Sequence, residues 1–345
     1  MKALVYKGPE QLAVEQVSIP EIGANDALIK VRASGICGSD THGYLGKTGR
    51  RALGVIMGHE FSGDVVKLGK NSGDWKIGDR VVVQPSIFCG ECFYCKSGKT
   101  HLCINKRFLG VMDCNGAMAE YISVPIKLLY RMPDDMSYVD GALIEPLAVS
   151  KCAVDKIPFD LQGKKVLVVG AGTIGLLVVA VLKSRGASKI IVSDLSQNRL
   201  EFAKAMGADY TFNPMQVDVR EQILKITDGF GADVSLEAVG ADKPVETAIS
   251  CLRLGGHSVW IGNSKKEIVL DMQSVVTREI TIYGTYTYSH EEFGNTIYEM
   301  ADMGIQTDKL VGELLPIEKA SDMFAYLAAG NDDIVKTQII FEEES

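Results

Sequence analysis

The chain has 345 residues, 46% of them hydrophobic and 23% charged, which excludes disordered, collagen-like and coiled-coil organisation. At roughly 150 residues per domain the length predicts two domains, each with its own core. A net charge of −8 argues against nucleic acid or an anionic membrane as the principal partner.

Residues 1–10 contain no apolar signal core, so a cytoplasmic location is expected. Up to about residue 145, short Val-, Ile- and Gly-rich runs recur at 27–32, 61–68, 80–84 and 119–124, separated by turns such as Lys76-Ile-Gly-Asp79. They predict an irregular β-rich domain. Near Asp160 the texture changes. Strands are predicted over 165–170, 189–193, 234–236 and 257–261, with helices over 174–185 and 197–206. Strands alternating with helices imply an α/β fold with a doubly wound parallel sheet. A helix over 291–303 and a strand over 338–341 follow. The uncharged run 166–182 is 17 residues long and holds three glycines. It is shorter than the about 20 apolar residues of a membrane span, and reads as strand, turn and buried helix.

Four of the eight cysteines, Cys89, Cys92, Cys95 and Cys103, fall within fifteen residues. With no signal peptide expected, reduced thiols and a metal are the natural reading. The spacing C-x2-C-x2-C-x7-C lets four thiolates converge on one structural zinc. A ferredoxin-type run would carry its fourth Cys three residues on, before a Pro; here seven residues intervene and Ile104 follows, which disfavours an iron–sulfur cluster. Cys114 and Cys251 read as small buried hydrophobes.

Gly170-Ala-Gly-Thr-Ile-Gly175 matches G-x-G-x-x-G between a predicted strand and a predicted helix. In that context the turn, with Gly170, Gly172, Thr173, Ile174 and Gly175, lets a dinucleotide pyrophosphate approach a helix N-terminus. Asp194 stands nineteen residues beyond Gly175, where a carboxylate accepts from a ribose 2′-OH and repels a 2′-phosphate. NAD is therefore expected over NADP. Arg199 pulls the other way, being suited to such a phosphate or to stacking on adenine.

Three further segments carry chemistry: Gly35-Ile-Cys-Gly-Ser-Asp-Thr-His42, Gly58-His-Glu-Phe-Ser-Gly63 and Ile144-Glu-Pro146. With the cysteine knuckle and the GAGTIG turn, they resemble the zinc-containing medium-chain dehydrogenase/reductase family over residues 1 to about 341. Glu145 stands where alcohol dehydrogenases of that family carry a second Cys, which resembles the polyol (sorbitol-type) branch and its galactitol-phosphate and sugar-acid relatives. The resemblance implies a GroES-like catalytic domain over 1–148 and 286–345, and a Rossmann NAD-binding domain over 149–285. It implies two zinc ions per chain. One is structural; the other is catalytic, on Cys37 and His59 with Glu60 or Glu145 bound directly or through water. Ser39 and His42 match the family's proton relay, and Tyr44 and Tyr288 are candidate substrate residues.

The expected reaction is hydride transfer from a secondary hydroxyl of a polyol, sugar acid or sugar phosphate to NAD, in a homodimer or homotetramer. Oxidation of simple secondary alcohols or threonine, and a catalytically silent binding protein on the same scaffold, are the rival readings. Two departures count against sorbitol itself. Ser150-Lys151-Cys152 replaces a segment that often carries Gly and His, and Thr287 stands where sorbitol dehydrogenases have an Arg facing the polyol.

Overall fold

A computed structural model describes residues 1–305 and 307–341. The chain forms two compact units. Unit 1 comprises Met1–Glu145, Ser289–Tyr298 and Val311–Ser345, and unit 2 comprises Pro146–Tyr288 and Glu299–Leu310. The sequence reading divides the chain at 148/149 and 285/286, and the units divide it at Glu145/Pro146 and Tyr288/Ser289. Glu299–Leu310 groups with unit 2 and not with unit 1. There the Glu299 carboxylate pairs with Lys151 and Arg185.

Unit 1 is the β-rich body. Its central strand, Asp26–Ile36, is flanked on one side by Glu60–Leu68 and on the other by Tyr121–Pro125 and Lys336–Ile340, all antiparallel to it. Arg80–Val83, Leu129–Arg131 and Val311–Leu315 complete a seven-stranded sheet. Ala27, Ile29 and Val31 alternate along the central strand and are fully buried, as a period of two demands when one face packs on a core. Phe61, Val65, Val81, Val83 and Ile339 join them. The cysteine segment forms a small lobe, with a short helix at Phe93–Lys96 and a 3-10 turn at Thr100–Leu102.

Unit 2 is the doubly wound sheet, six parallel strands in the order Tyr210–Phe212, Lys189–Ser193, Lys165–Val169, Ala232–Glu237, Leu252–Trp260 and Thr281–Gly284. Val166, Leu167 and Val168 are fully buried, which suits a parallel strand covered on both faces. The helix Thr173–Ser184 follows Gly172 directly. Among the described residues no helix is long and apolar enough to cross a membrane.

Among the elements not read from the sequence is the helix Tyr138–Val154, which carries Glu145. Pro146 lies inside it and it has no clear apolar stripe, so neither helix periodicity nor a clean start marks it. Locally, the Ser150 hydroxyl donates to the Pro146 carbonyl at 2.9 Å.

Candidate metal centres and dinucleotide site

Cys37 leaves the end of the central strand and caps the short helix Gly38–Tyr44. The Ser39 amide and hydroxyl both donate to its Sγ, at 3.4 and 3.3 Å. Asp40 is fully buried one turn on. Its Oδ1 accepts from Arg51 Nη2 at 2.9 Å, and its Oδ2 stands 3.6 Å from His59 Nδ1. A carboxylate behind one ring nitrogen orients the imidazole and leaves Nε2 for a metal. Burial pushes the Asp40 carboxyl up, but His59 and then Arg51 outweigh it and bring its pKa down to about 2. Burial likewise works against protonated His59, and Asp40 outweighs it, raising His59 well above the ordinary range. The edge of Phe108 closes on the His59 ring.

Glu60 opens the neighbouring strand and is 1% exposed. Its carboxylate pairs with Nζ of Lys336, equally buried, which also donates to the Ile36 carbonyl at 3.1 Å. Gly35 lies opposite Glu60 in the ladder, and a Cβ there would collide with the Glu60 carboxylate. One ligand atom each from Cys37, His59 and Glu60 lie within 4.8 Å of one another. A thiolate, an imidazole and a carboxylate so grouped are the donor set of a zinc site that keeps an open position. Glu145 is buried on its helix and its charge acts on Lys336, but it does not belong to that group.

Motifs alone do not single out Lys336, Asp40 or Arg51. Asp40 lies inside the Gly35–His42 motif itself, and Lys336 is 276 residues from its partner. Its signal was slight: a lone cation inside an apolar strand run.

The four knuckle cysteines are free thiols whose Sγ atoms also lie within 4.8 Å of one another. Cys89 is 3.9 Å from Cys95 and 3.5 Å from Cys103. Four sulfurs each about 2.3 Å from one zinc stand about 3.8 Å apart in a tetrahedron, so the cluster fits the ion. The Cys89 and Cys92 amides donate to Sγ atoms of Cys103 and Cys89. Amides of Cys95 and Ile104 hold the Cys92 thiol down at about 6.

In unit 2 each glycine of the turn has its own reason. Gly170 has φ +97°, and a Cβ there would come within 2.6 Å of Val239 Cγ2. A Cβ on Gly175 would collide with the Gly170 carbonyl. At Gly172 a Cβ would point into open space, and this N-cap makes no side-chain hydrogen bond, so the first-turn amides are offered to a ligand. Thr173 and Ile174, half-buried, form that first turn. Asp194 accepts from the Ala171 amide at 2.7 Å and the Ser196 amide at 2.8 Å, so it also braces the turn. Arg199 Nε is buried without a hydrogen-bond partner.

The remaining candidates are placed as follows. Ser39 and His42 are exposed. Tyr44 is buried with its ring against Phe324, and Tyr288 is fully enclosed. Thr287 adopts φ +52° and its Oγ1 is buried without a partner. Lys151 is turned into an ion-pair network with Asp155 and Glu299.

Residues 173–302 match the family model of the zinc-binding dehydrogenases, and residues 23–134 that of the alcohol dehydrogenase GroES-like domain. The chain is 34% identical over 343 residues to a sorbitol dehydrogenase of Bacillus subtilis (strain 168), covering 98% of this chain and 97% of that one. It superposes on galactitol-1-phosphate dehydrogenase from Escherichia coli with a TM-score of 0.92 at 27% identity, covering 99% of this chain and 100% of the other. A protein described as a zinc-binding dehydrogenase from Sinorhizobium meliloti 1021, solved with NADP, superposes with a TM-score of 0.91 at 30% identity, covering 99% of both chains.

Proposed function

The chain belongs to the zinc-containing medium-chain dehydrogenases, in their polyol branch, and on that premise we propose that it oxidises a secondary hydroxyl of a polyol, sugar acid or sugar phosphate. The observation that carries this is the grouping of half-buried Cys37 with buried His59 and Glu60, backed by Asp40 and Lys336.

In this reading Cys37, His59 and Glu60 hold the catalytic zinc, with Glu145 in reserve as the alternative carboxylate, and the four knuckle cysteines hold a structural zinc. When bound, the catalytic zinc lowers the pKa of a substrate hydroxyl and the nicotinamide accepts a hydride. Asp40 keeps the His59 ring oriented and its charge compensated. Ser39, whose hydroxyl sits on the Cys37 sulfur, is the first group to take the hydroxyl proton. Ser39 passes it on through the cofactor ribose to His42, which is exposed and hands it to solvent. The glycine turn and the first amides of Thr173–Ser184 bind the pyrophosphate. Asp194 selects NAD, with Arg199 tempering that preference. The proposal includes a homodimer or homotetramer and a cytoplasmic location.

The test is a turnover screen with NAD and NADP over polyols, aldonates, sugar phosphates and simple secondary alcohols, run beside zinc analysis. Two zinc ions per chain and turnover of a polyhydroxylated substrate with NAD are expected. Turnover confined to simple alcohols or threonine overturns the substrate class. One zinc or none, with no turnover at all, makes the chain a silent scaffold.

A further inference from the structure

Glu237 ends the strand Ala232–Glu237 in register with Val169, the residue before Gly170. Its side chain is fully buried, and a carboxylate in such a place must be held by good partners. Here the partners are backbone amides. Oε1 accepts from the Val239 and Gly240 N–H groups, both at 2.8 Å, and Oε2 accepts from Gly240 at 3.0 Å. These bonds curl residues 238–240 back over the end of their own strand. Burial pushes the Glu237 carboxyl up, and the two amides oppose that shift.

The curled loop is wedged between two other turns. On one side the Ala238 amide donates to the Val169 carbonyl at 2.9 Å, and the Val239 side chain fills the space in front of Gly170. On the other, Gly240 and Gly262 meet backbone to backbone, too close for a Cβ on Gly262. The Lys265 amide reaches the Gly240 carbonyl at 3.0 Å, and the Ile261 amide reaches the Glu237 carbonyl at 2.8 Å. The loop therefore joins the carboxyl ends of three adjacent strands, Lys165–Val169, Ala232–Glu237 and Leu252–Trp260. In open α/β sheets that edge is where ligands bind.

We propose that Glu237 is a positioning residue for the dinucleotide: its carboxylate sets the 238–240 loop, which in turn sets the Gly170 turn through Val239. It acts through these groups and touches neither cofactor nor substrate. The proposal rests on the dinucleotide reading of the GAGTIG turn.

The test uses the full-length, zinc-loaded protein and titrates NADH by fluorescence, well below the unfolding temperature. Glu237→Gln, which loses charge but keeps shape, should weaken NADH about ten-fold, as expected for the loss of a charge-assisted bond. KM for NAD should rise with it while KM for the alcohol and the zinc content stay unchanged. Glu237→Asp should recover part of the affinity. Val239→Ala leaves the carboxylate untouched and should still weaken NADH several-fold. It therefore tests the linkage even if the Glu237 variants fail to fold. A lower melting temperature with unchanged NADH affinity in the Glu237 variants, or unchanged affinity in Val239→Ala, overturns the proposal. Failure of the wild type to bind both NADH and NADPH overturns the dinucleotide reading, and this proposal with it.

Discussion

At the scale of single residues, the Lys336–Glu60 pair carries the largest energetic stake. Both side chains are 1% exposed, and removing one partner of a buried ion pair costs about 3–5 kcal/mol because the other charge is stranded. Lys336→Met should lower unfolding stability by that amount in denaturant titration. Adding Glu60→Gln should recover much of it, which separates the pair from a packing defect. A loss below about 1 kcal/mol, the range of exposed pairs, would mean that the pair is not closed in solution. Asp194→Ala should narrow the preference for NAD over NADP, since charge repulsion against a 2′-phosphate disappears. Because Asp194 also holds the Ala171 amide, KM for NAD should rise at the same time; steady-state kinetics with both cofactors checks both effects. These residues were unequally legible. Cys37 and His59 became candidates only through the family resemblance of their segments, whereas Asp194 stood out by its distance from the glycine turn. Glu60 and Glu145 were equal candidates in sequence, and only the fold groups one of them with the thiol and imidazole. Lys336 reaches that group from a strand 276 residues away, and no local pattern encodes such a meeting.

At the scale of elements, the strands that were read lie within a few residues of their observed places, but Lys2–Gly8 and Thr281–Gly284 were not read, and neither was Tyr138–Val154, because Pro146 and apolar residues on every side hide its period. The helix His290–Asp302 was anticipated, but not what its first residue does. His290 N–H donates to Thr100 Oγ1 at 2.7 Å, inside the cysteine lobe, and its Nδ1–H donates to Gln84 Oε1 at 2.7 Å. The Tyr130 hydroxyl donates to the His290 carbonyl at 2.6 Å. Burial, then the charge of Lys127, lowers the His290 pKa. An imidazole kept neutral in the fold binds fewer protons than in the unfolded chain. Its contribution is therefore full above the unfolded pKa of about 6.5 and is lost as pH falls through the lower folded value. Melting temperature should accordingly drop from about pH 7 to about pH 5, more steeply in the wild type than in His290→Gln. Parallel profiles would show that this imidazole does not titrate against the fold.

At the scale of the whole molecule, composition and the strand–helix alternation were enough to foresee a β-rich unit and a doubly wound one. The return of Glu299–Leu310 to unit 2 was not foreseeable, since it rests on contacts with residues far away in sequence, among them the ion pairs of Glu299 to Lys151 and Arg185. The two metal groups differ in donors, four thiolates against one thiolate, one imidazole and one carboxylate. Rising chelator should therefore release one zinc equivalent first, abolishing turnover while circular dichroism stays native, and added zinc should restore it. Simultaneous loss of both ions with unfolding would contradict that order. The connectivity of unit 1 also bears on how the protein is made. Translation runs at about 5–20 residues per second, so the 276 residues from Glu60 to Lys336 take roughly 15–55 seconds to emerge. During that interval the stretch Ala33–Ile36 of the central strand has no Lys336–Ile340 beside it, and the Glu60 carboxylate has no buried cation. All of unit 2 leaves the ribosome in the same interval. The Cys37, His59 and Glu60 group therefore acquires its buried counter-charge only near the end of synthesis, long after its own three side chains and the four knuckle cysteines have emerged.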